Sequence, residues 1–207
     1  MINRRSFLTK SIMAGGVSIS APYTFNILSS KNNNLPVVGH GDFKYRVNKD
    51  WGIQDPAKVP VKDCHEMVMD ARGRLLMLTN QTQNNLIIYD KSGKVLNTWT
   101  LNLPGAHGLT LAQEGGEDFL FITDTDLAKV YKTTLDGKVL LELDYPKEVS
   151  AYTKSSEYKP TEIAVAPNGD FYVADGYGKN FIIHYNASGE YIGHFGGKGE
   201  AEDQFDC

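Results

Sequence analysis

The chain is poor in the features that announce most enzyme classes. Of its 207 residues only Cys64 and Cys207 are cysteines, too few for a fold built on disulfides. Whether those two pair is not fixed by the sequence, and one buried thiol with one at a frayed end is an equal expectation. Positive charge is not in excess: 21 Lys and Arg stand against 25 Asp and Glu, for a net charge of -4. That balance lacks the clustered basic face on which nucleic acid binds, so no nucleic-acid partner is expected. No helical periodicity is found after residue 35. Neither a Gly-x-Ser-x-Gly elbow nor a Walker loop is present, since the Gly-Lys pair between Gly193 and Lys198 has the wrong spacing and no following Ser or Thr.

The amino terminus does carry a signal. Arg4-Arg5 precedes Phe7-Leu8 and a weakly apolar stretch from Ser11 to Ser20, the layout of a charged region followed by a short hydrophobic one. The stretch is too short and too rich in Gly and Ser to span a bilayer. Its order resembles a bacterial twin-arginine signal, which implies export to the periplasm or beyond and a mature protein with no membrane association. No clean cleavage motif follows Ser20, and no Cys before residue 64 could carry a lipid. The expected organisation is an export signal over 1–30, a linker over 31–60 and a repeat domain over 61–207. An aromatic island in the linker, Phe43 to Val47 and Trp51-Gly52, resembles an outer strand that would complete a ring.

What fills the remaining length is one unit written three times. The first copy has His65 to Asp70, Leu75 to Asn80, Leu86 to Asp90 and Lys94 to Trp99. The second has His107 to Leu111, Phe119 to Asp124, Lys129 to Lys132 and Lys138 to Leu143. The third has Thr161 to Val165, Phe171 to Asp175, Phe181 to Tyr185 and Glu190 to Phe195. Short apolar or alternating runs joined by Asn-Gly, Asp-Gly and Gly-Gly turns predict antiparallel meanders. The copies begin 42 and then 54 positions apart, the second interval lengthened by a polar insert from Asp144 to Pro160. Four strands per repeat at a period near 42 predict an all-β fold, a β-propeller. Three complete blades are expected here of six in a closed ring, so the chain is expected to be the amino-terminal half of a longer protein.

Gly193-His194-Phe195-Gly196, Gly199 and Gln204-Phe205, with the repeated Asp-Gly and Asn-Gly turns, resemble the NHL repeat family. Within it the chain resembles the lyase domain of peptide-amidating enzymes, a six-bladed propeller that splits peptidyl-α-hydroxyglycine into a peptide amide and glyoxylate. The resemblance implies a Zn²⁺ held by three His and a Ca²⁺ held largely by main-chain carbonyls. Matched by position, Pro104 to Leu109 implies His107 as the first zinc ligand and the Leu109 carbonyl as a calcium ligand. Met67 would supply a second carbonyl one blade earlier, and Val173 to Tyr177 makes Tyr177 the catalytic tyrosine. Two departures stand out: Asn80 occupies the place of the family's first active-site Arg, and Tyr158 and Gly178 replace a cysteine pair. An amide cannot reproduce a bidentate guanidinium contact.

The residues also carry readings of their own. His65 and His107 each begin the first strand of a blade, which lines the channel of a propeller, so both could converge on one metal; otherwise they are channel-facing polar groups bonded to carbonyls or water. Glu66 and Glu162 share one repeat position and are either a general base and cation ligands or solvated acids. Tyr177 follows Asp175-Gly176 in a strand-exit loop, as acid or base or as an aromatic cover for the blade edge. Asn80, Asp124 and Asp175 end the second strand of each copy, a recurrence that predicts turn caps. His184 and His194 are expected on outer, solvent-facing strands. Two functions follow. One is a metal-dependent lyase acting on a peptide or small-molecule ligand at the channel mouth; the other is a non-catalytic propeller that binds peptide, glycan or a protein partner. A sugar or quinoprotein oxidoreductase is a weaker third, without a cofactor motif.

Overall fold

The computed structural model describes residues 35–205, so the export-signal segment and Cys207 lie outside the described residues. The chain divides into two compact units after Asn48. The first contains a hairpin of β1 (Val37–His40) and β2 (Phe43–Arg46), with Val38 opposite Tyr45. The aromatic island is therefore split: Phe43 to Arg46 pairs within this hairpin, and Trp51 belongs to the second unit.

The second unit is a run of three four-stranded antiparallel sheets, each a meander. Blade 1 comprises β3 (Cys64–Met69), β4 (Leu75–Thr79), β5 (Leu86–Tyr89) and β6 (Val95–Trp99). Blade 2 comprises β7 (Ala106–Glu114), β8 (Glu117–Asp124), β9 (Lys129–Thr134) and β10 (Val139–Leu143). Blade 3 comprises β11 (Glu162–Val165), β12 (Phe171–Ala174), β13 (Phe181–Tyr185) and β14 (Tyr191–Gly196). The fold is a β-propeller, and the three repeats are its blades.

Successive side chains of a strand point to opposite faces, and β8 of blade 2 shows why its centre, Phe119 to Ile122, is a continuous apolar run. Leu120 and Ile122 of β8 pack toward blade 1 with Leu76, Leu78, Leu86, Ile88 and Leu109. Phe121, between them, packs the other way with Ile163, Phe171, Val173 and Ile183 of blade 3. A strand buried on both faces favours apolar residues at successive positions, the condition under which strands read as continuous hydrophobic runs.

The turns repeat as faithfully as the strands. In the first hairpin the Asp70 carboxylate accepts from the backbone N–H of Arg72 at 3.0 Å and of Arg74 at 2.8 Å, while Gly73 takes φ +74. That is a type I turn closed by a left-handed residue, a geometry that glycine adopts without steric cost. Asp90 and Asn186 build the same turn. Neighbouring blades are latched by tryptophan. Trp99 at the end of β6 donates its indole N–H to the Leu135 carbonyl at 3.0 Å and lies against Gly137. Trp51 does the same one blade earlier, donating to the Lys91 carbonyl at 3.1 Å and lying against Gly93.

Two expectations are corrected here. The insert from Asp144 to Pro160 is polar in sequence, yet it buries Val149, Tyr152 and Tyr158 in the blade 2 and 3 core around a short 3-10 turn at Ser155–Glu157. His184 sits on the third strand, half-buried, stacked on Tyr172 at 4.3 Å and bonded to Asp170 at 3.1 Å. His194 is exposed, and Cys64 is an exposed free thiol.

Candidate active site

Both inner-strand histidines stand in β-bulges. In β3 the register slips between Cys64 and Glu66, leaving His65 unpaired; in β7 it slips between Ala106 and Leu109, across His107 and Gly108. A bulge bends its strand and re-aims the side chain it carries. Here two bulges on adjacent blades bring the imidazoles face to face, with ring centroids 4.1 Å apart and 23° between planes. Gly108 makes the second bulge possible, because a Cβ there would stand 2.5 Å from the Thr161 carbonyl oxygen.

The hydrogen bonds of His107 fix its tautomer. Nδ1 lies 3.0 Å from the Thr161 carbonyl oxygen, which can only accept, so Nδ1 carries the proton. Nε2 then offers a lone pair, and the Tyr177 hydroxyl donates to it across 3.1 Å. The tyrosine ring meets the imidazole edge-on, centroids 5.0 Å apart, while remaining 64% exposed. A basic nitrogen and a phenol thus face each other at the solvent boundary.

Tyr177 arrives on the loop between β12 and β13. That loop is anchored by Asp175, which is fully buried and accepts from the backbone N–H of Lys159, the backbone N–H of Lys179 and the Tyr152 hydroxyl, each at 2.6 Å. Burial lifts the Asp175 carboxyl above its ordinary range, against the pull of these donors. Gly176 beside it donates to the Thr161 hydroxyl at 3.3 Å. Asp124 caps the corresponding loop of blade 2 through Asp126 and Leu127 and also holds Gly105; Asn80, against expectation, caps no turn of its own and bonds instead to Asp63 ahead of β3.

One residue along from the histidines, the second pair of predicted residues also converges. Glu66 accepts from the Leu109 backbone N–H at 3.0 Å, and Glu162 accepts from the Thr110 hydroxyl at 3.0 Å. Burial, together with the neighbouring Glu66 carboxylate, raises the Glu162 pKa. These are not free solvated acids; they tie blades 1 and 3 to the inner strand of blade 2. Leu109 is buried and its N–H points off the β8 edge, so by the pleat its carbonyl emerges on the same edge. The Met67 side chain is exposed.

The structure therefore brings together His65, His107 and Tyr177, with Leu109 and Glu66 one step below. Sequence reasoning missed Thr161 and Tyr152. Thr161 acts on His107 through its carbonyl, which any residue possesses. Tyr152 lies in a stretch without strand pattern.

No family model matches the chain. Over 113 residues it is 37% identical to peptidyl-alpha-hydroxyglycine alpha-amidating lyase 1 of Drosophila melanogaster, a match covering 52% of the chain and 20% of the relative. Over 191 residues it is 32% identical to peptidyl-glycine alpha-amidating monooxygenase B of Xenopus laevis, covering 87% of the chain and 19% of the relative. The chain is similar in sequence to enzymes named for peptide amidation. It spans about a fifth of the length of these two relatives. Among solved structures it resembles a streptogramin B lyase with a TM-score of 0.50 at 18% identity, over 66% of the chain and 42% of that protein. That likeness concerns the propeller fold alone.

Proposed function

We propose that this is an exported NHL-type propeller lyase that cleaves peptidyl-α-hydroxyglycine or a close analogue, with His107 and Tyr177 as its working pair. One observation carries the reading. The Thr161 carbonyl holds His107 in the tautomer whose Nε2 lone pair faces the Tyr177 hydroxyl at 3.1 Å.

Cleavage requires removal of the proton from the substrate's carbinol hydroxyl. The carbon–oxygen bond becomes the aldehyde of glyoxylate, the carbon–nitrogen electrons leave on nitrogen, and that nitrogen takes a proton. The Tyr177 oxygen receives the hydroxyl proton as its own passes to His107 Nε2. The resulting imidazolium keeps its Nδ1–H bond to Thr161, and the proton returns through Tyr177 to the leaving nitrogen. Protons balance, and the transfer between Tyr177 and His107, at 3.1 Å, lies within the reach that general acid–base catalysis needs.

The donors for a metal fit only in part. His107 has the ligand geometry of a zinc histidine, its second nitrogen fixed by a carbonyl, and His65 is stacked on it. Among the described residues no group of three or more His, Cys, Asp or Glu is placed to hold a metal, and stacked rings do not aim both nitrogens at one ion. No step is derived through zinc. Calcium would rest on the Leu109 and Met67 carbonyls with Glu66 nearby. Among the described residues no helix is long and apolar enough to cross a membrane, and export rests on the Arg4-Arg5 segment.

A second reading is favoured by one contact. Asn80 is locked to Asp63, its amide donating to the carboxylate at 3.0 Å and accepting from the backbone N–H at 3.1 Å. An acidic group thus stands where a carboxylate substrate would need a cation, which suits a propeller that binds a peptide, glycan or protein without cleaving it.

The test is cleavage of a peptidyl-α-hydroxyglycine by the wild type and by Tyr177→Phe and His107→Ala, with elemental analysis of all three. Activity lost in both variants supports the lyase. Wild-type protein that binds the peptide but releases no glyoxylate would overturn it in favour of the binding propeller. Zinc present in the wild type and absent from His107→Ala would put a metal on Nε2 and overturn its role as proton acceptor for Tyr177, since Nδ1 is protonated and one lone pair cannot serve both.

A further inference from the structure

The insert from Asp144 to Pro160 makes the interval between blades 2 and 3 longer than that between blades 1 and 2. A linker only has to connect. This one instead folds inward, with Tyr152 buried in the core and its hydroxyl delivered to the Asp175 carboxylate at 2.6 Å. Lys159, at the insert's other end, donates its backbone N–H to the same carboxylate. Between them Glu157 accepts from the Thr153 backbone N–H at 2.7 Å and pairs with Lys179 at 3.4 Å. Lys179 in turn donates through its ammonium to the Ala151 carbonyl and through its backbone to Asp175. The insert is therefore stitched to the loop from Asp175 to Asn180 through Ala151, Tyr152, Glu157 and Lys159.

Tyr177 rides at the crest of that loop between two glycines that leave no room for adjustment. A Cβ on Gly178 would overlap the Asp175 carboxylate, and one on Gly176 would stand 2.6 Å from the Thr161 hydroxyl oxygen. Wherever Asp175 is held, Tyr177 is held with it. The buried phenol of Tyr152 is the side-chain donor to Asp175; its other donors are backbone amides.

We propose that the segment from Asp144 to Pro160 is a buttress for the candidate active site, with Tyr152 as a positioning residue that acts through Asp175 to hold the Tyr177 hydroxyl on His107 Nε2. The inference rests on the His107 and Tyr177 reading for its catalytic consequence, though not for its structural one. A phenol hydrogen-bonded to a buried carboxylate is among the stronger neutral-to-charged bonds, and a displacement of about 1 Å at a reacting group costs on the order of a hundredfold in rate.

Tyr152→Phe keeps the buried ring and deletes only the donor. The Tyr177 ring is followed by NMR of protein carrying ¹³C at the tyrosine Cζ, its resonance assigned by its loss in Tyr177→Phe. In Tyr152→Phe the Tyr177 resonance is expected to move toward that of a free phenol. With peptidyl-α-hydroxyglycine, kcat falls about tenfold or more while KM stays within about twofold. Asp175→Asn, which leaves the loop's size unchanged, is expected to move the same resonance. An unmoved Tyr177 resonance in both variants overturns the proposal. So does a moved resonance with unchanged kcat in an active enzyme. If the wild type proves inactive, the lyase reading fails alone and the resonance still decides whether the insert positions Tyr177.

Discussion

Replacing Gly108 with Ala tests the arrangement at its tightest point. The added methyl would stand 2.5 Å from the Thr161 carbonyl oxygen, 2.9 Å from the Thr123 hydroxyl oxygen and 3.0 Å from the Glu162 Cα. Two of these three atoms belong to β11 or the residue before it, so the strain is relieved by driving blade 3 away from the bulge of blade 2. Overpacking of this kind costs about 1–3 kcal/mol. The shift also lengthens the His107 bond to Thr161 and the 2.8 Å bond from Gly108 to Thr123, each contributing roughly 0.5–1.5 kcal/mol. The sum is about 2–6 kcal/mol, and a domain of this size loses roughly 2–4 °C in Tm per kcal/mol. A calorimetric Tm lower by about 4–24 °C is expected. Nitrogen-detected NMR should show His107 losing its single Nδ1–H tautomer. Gly52→Ala is the control: a Cβ added at Gly52 would meet no neighbour within 4 Å, and the residue has no positive φ, so its effect stays within about 0.5 kcal/mol. A Gly108→Ala protein with the Tm and His107 tautomer of the wild type would refute the argument that this glycine is what lets the bulge approach Thr161.

Gly137→Ala tests the tryptophan latch. The residue has φ +88, and its Cβ would stand 2.8 Å from the Trp99 ring; the left-handed backbone alone costs an Ala about 1–2 kcal/mol. Lower Tm and a red-shifted tryptophan emission are expected, and an unshifted emission would remove the latch. Asp70→Asn tests the first hairpin. Burial pulls the Asp70 carboxyl up, but the bonds and charge of Arg74 outweigh it and hold it below its ordinary 3.8. A depressed folded pKa adds stability above the unfolded value and loses it as pH falls through the folded one. The variant should therefore be about 1–3 kcal/mol less stable at pH 7, with the gap closing below about pH 3; a gap independent of pH would contradict the ion pair. Asp124, Asp175 and Glu162 shift the other way, raised chiefly by burial. Their contribution improves as pH drops from neutrality toward their unfolded values, so thermal stability of the wild type should hold or rise down to about pH 5 before acid unfolding begins.

The fold was legible because the repeat writes the same physics three times. Alternation, the Gly-containing turns and the terminal Asp of the second strand in copies two and three each follow from local backbone chemistry, and the structure keeps them. The pairing of His65 with His107 followed in outline from their shared place at the start of an inner strand. What pattern could not show were the departures from pattern. A β-bulge leaves no mark in hydrophobic periodicity beyond the glycine after His107, and a partner that acts through its carbonyl, as Thr161 does, has no side-chain signature. The polar insert misled for a related reason: Asp144, Lys147, Glu148 and Lys154 face outward, while Val149, Tyr152 and Tyr158 are spaced by no regular period because no regular element carries them. Yet the deviation in repeat length was itself the signal. In an array whose units are otherwise of one size, the extra residues lie beside the loop that presents Tyr177, and length added next to a site is better read as part of that site than as slack between blades.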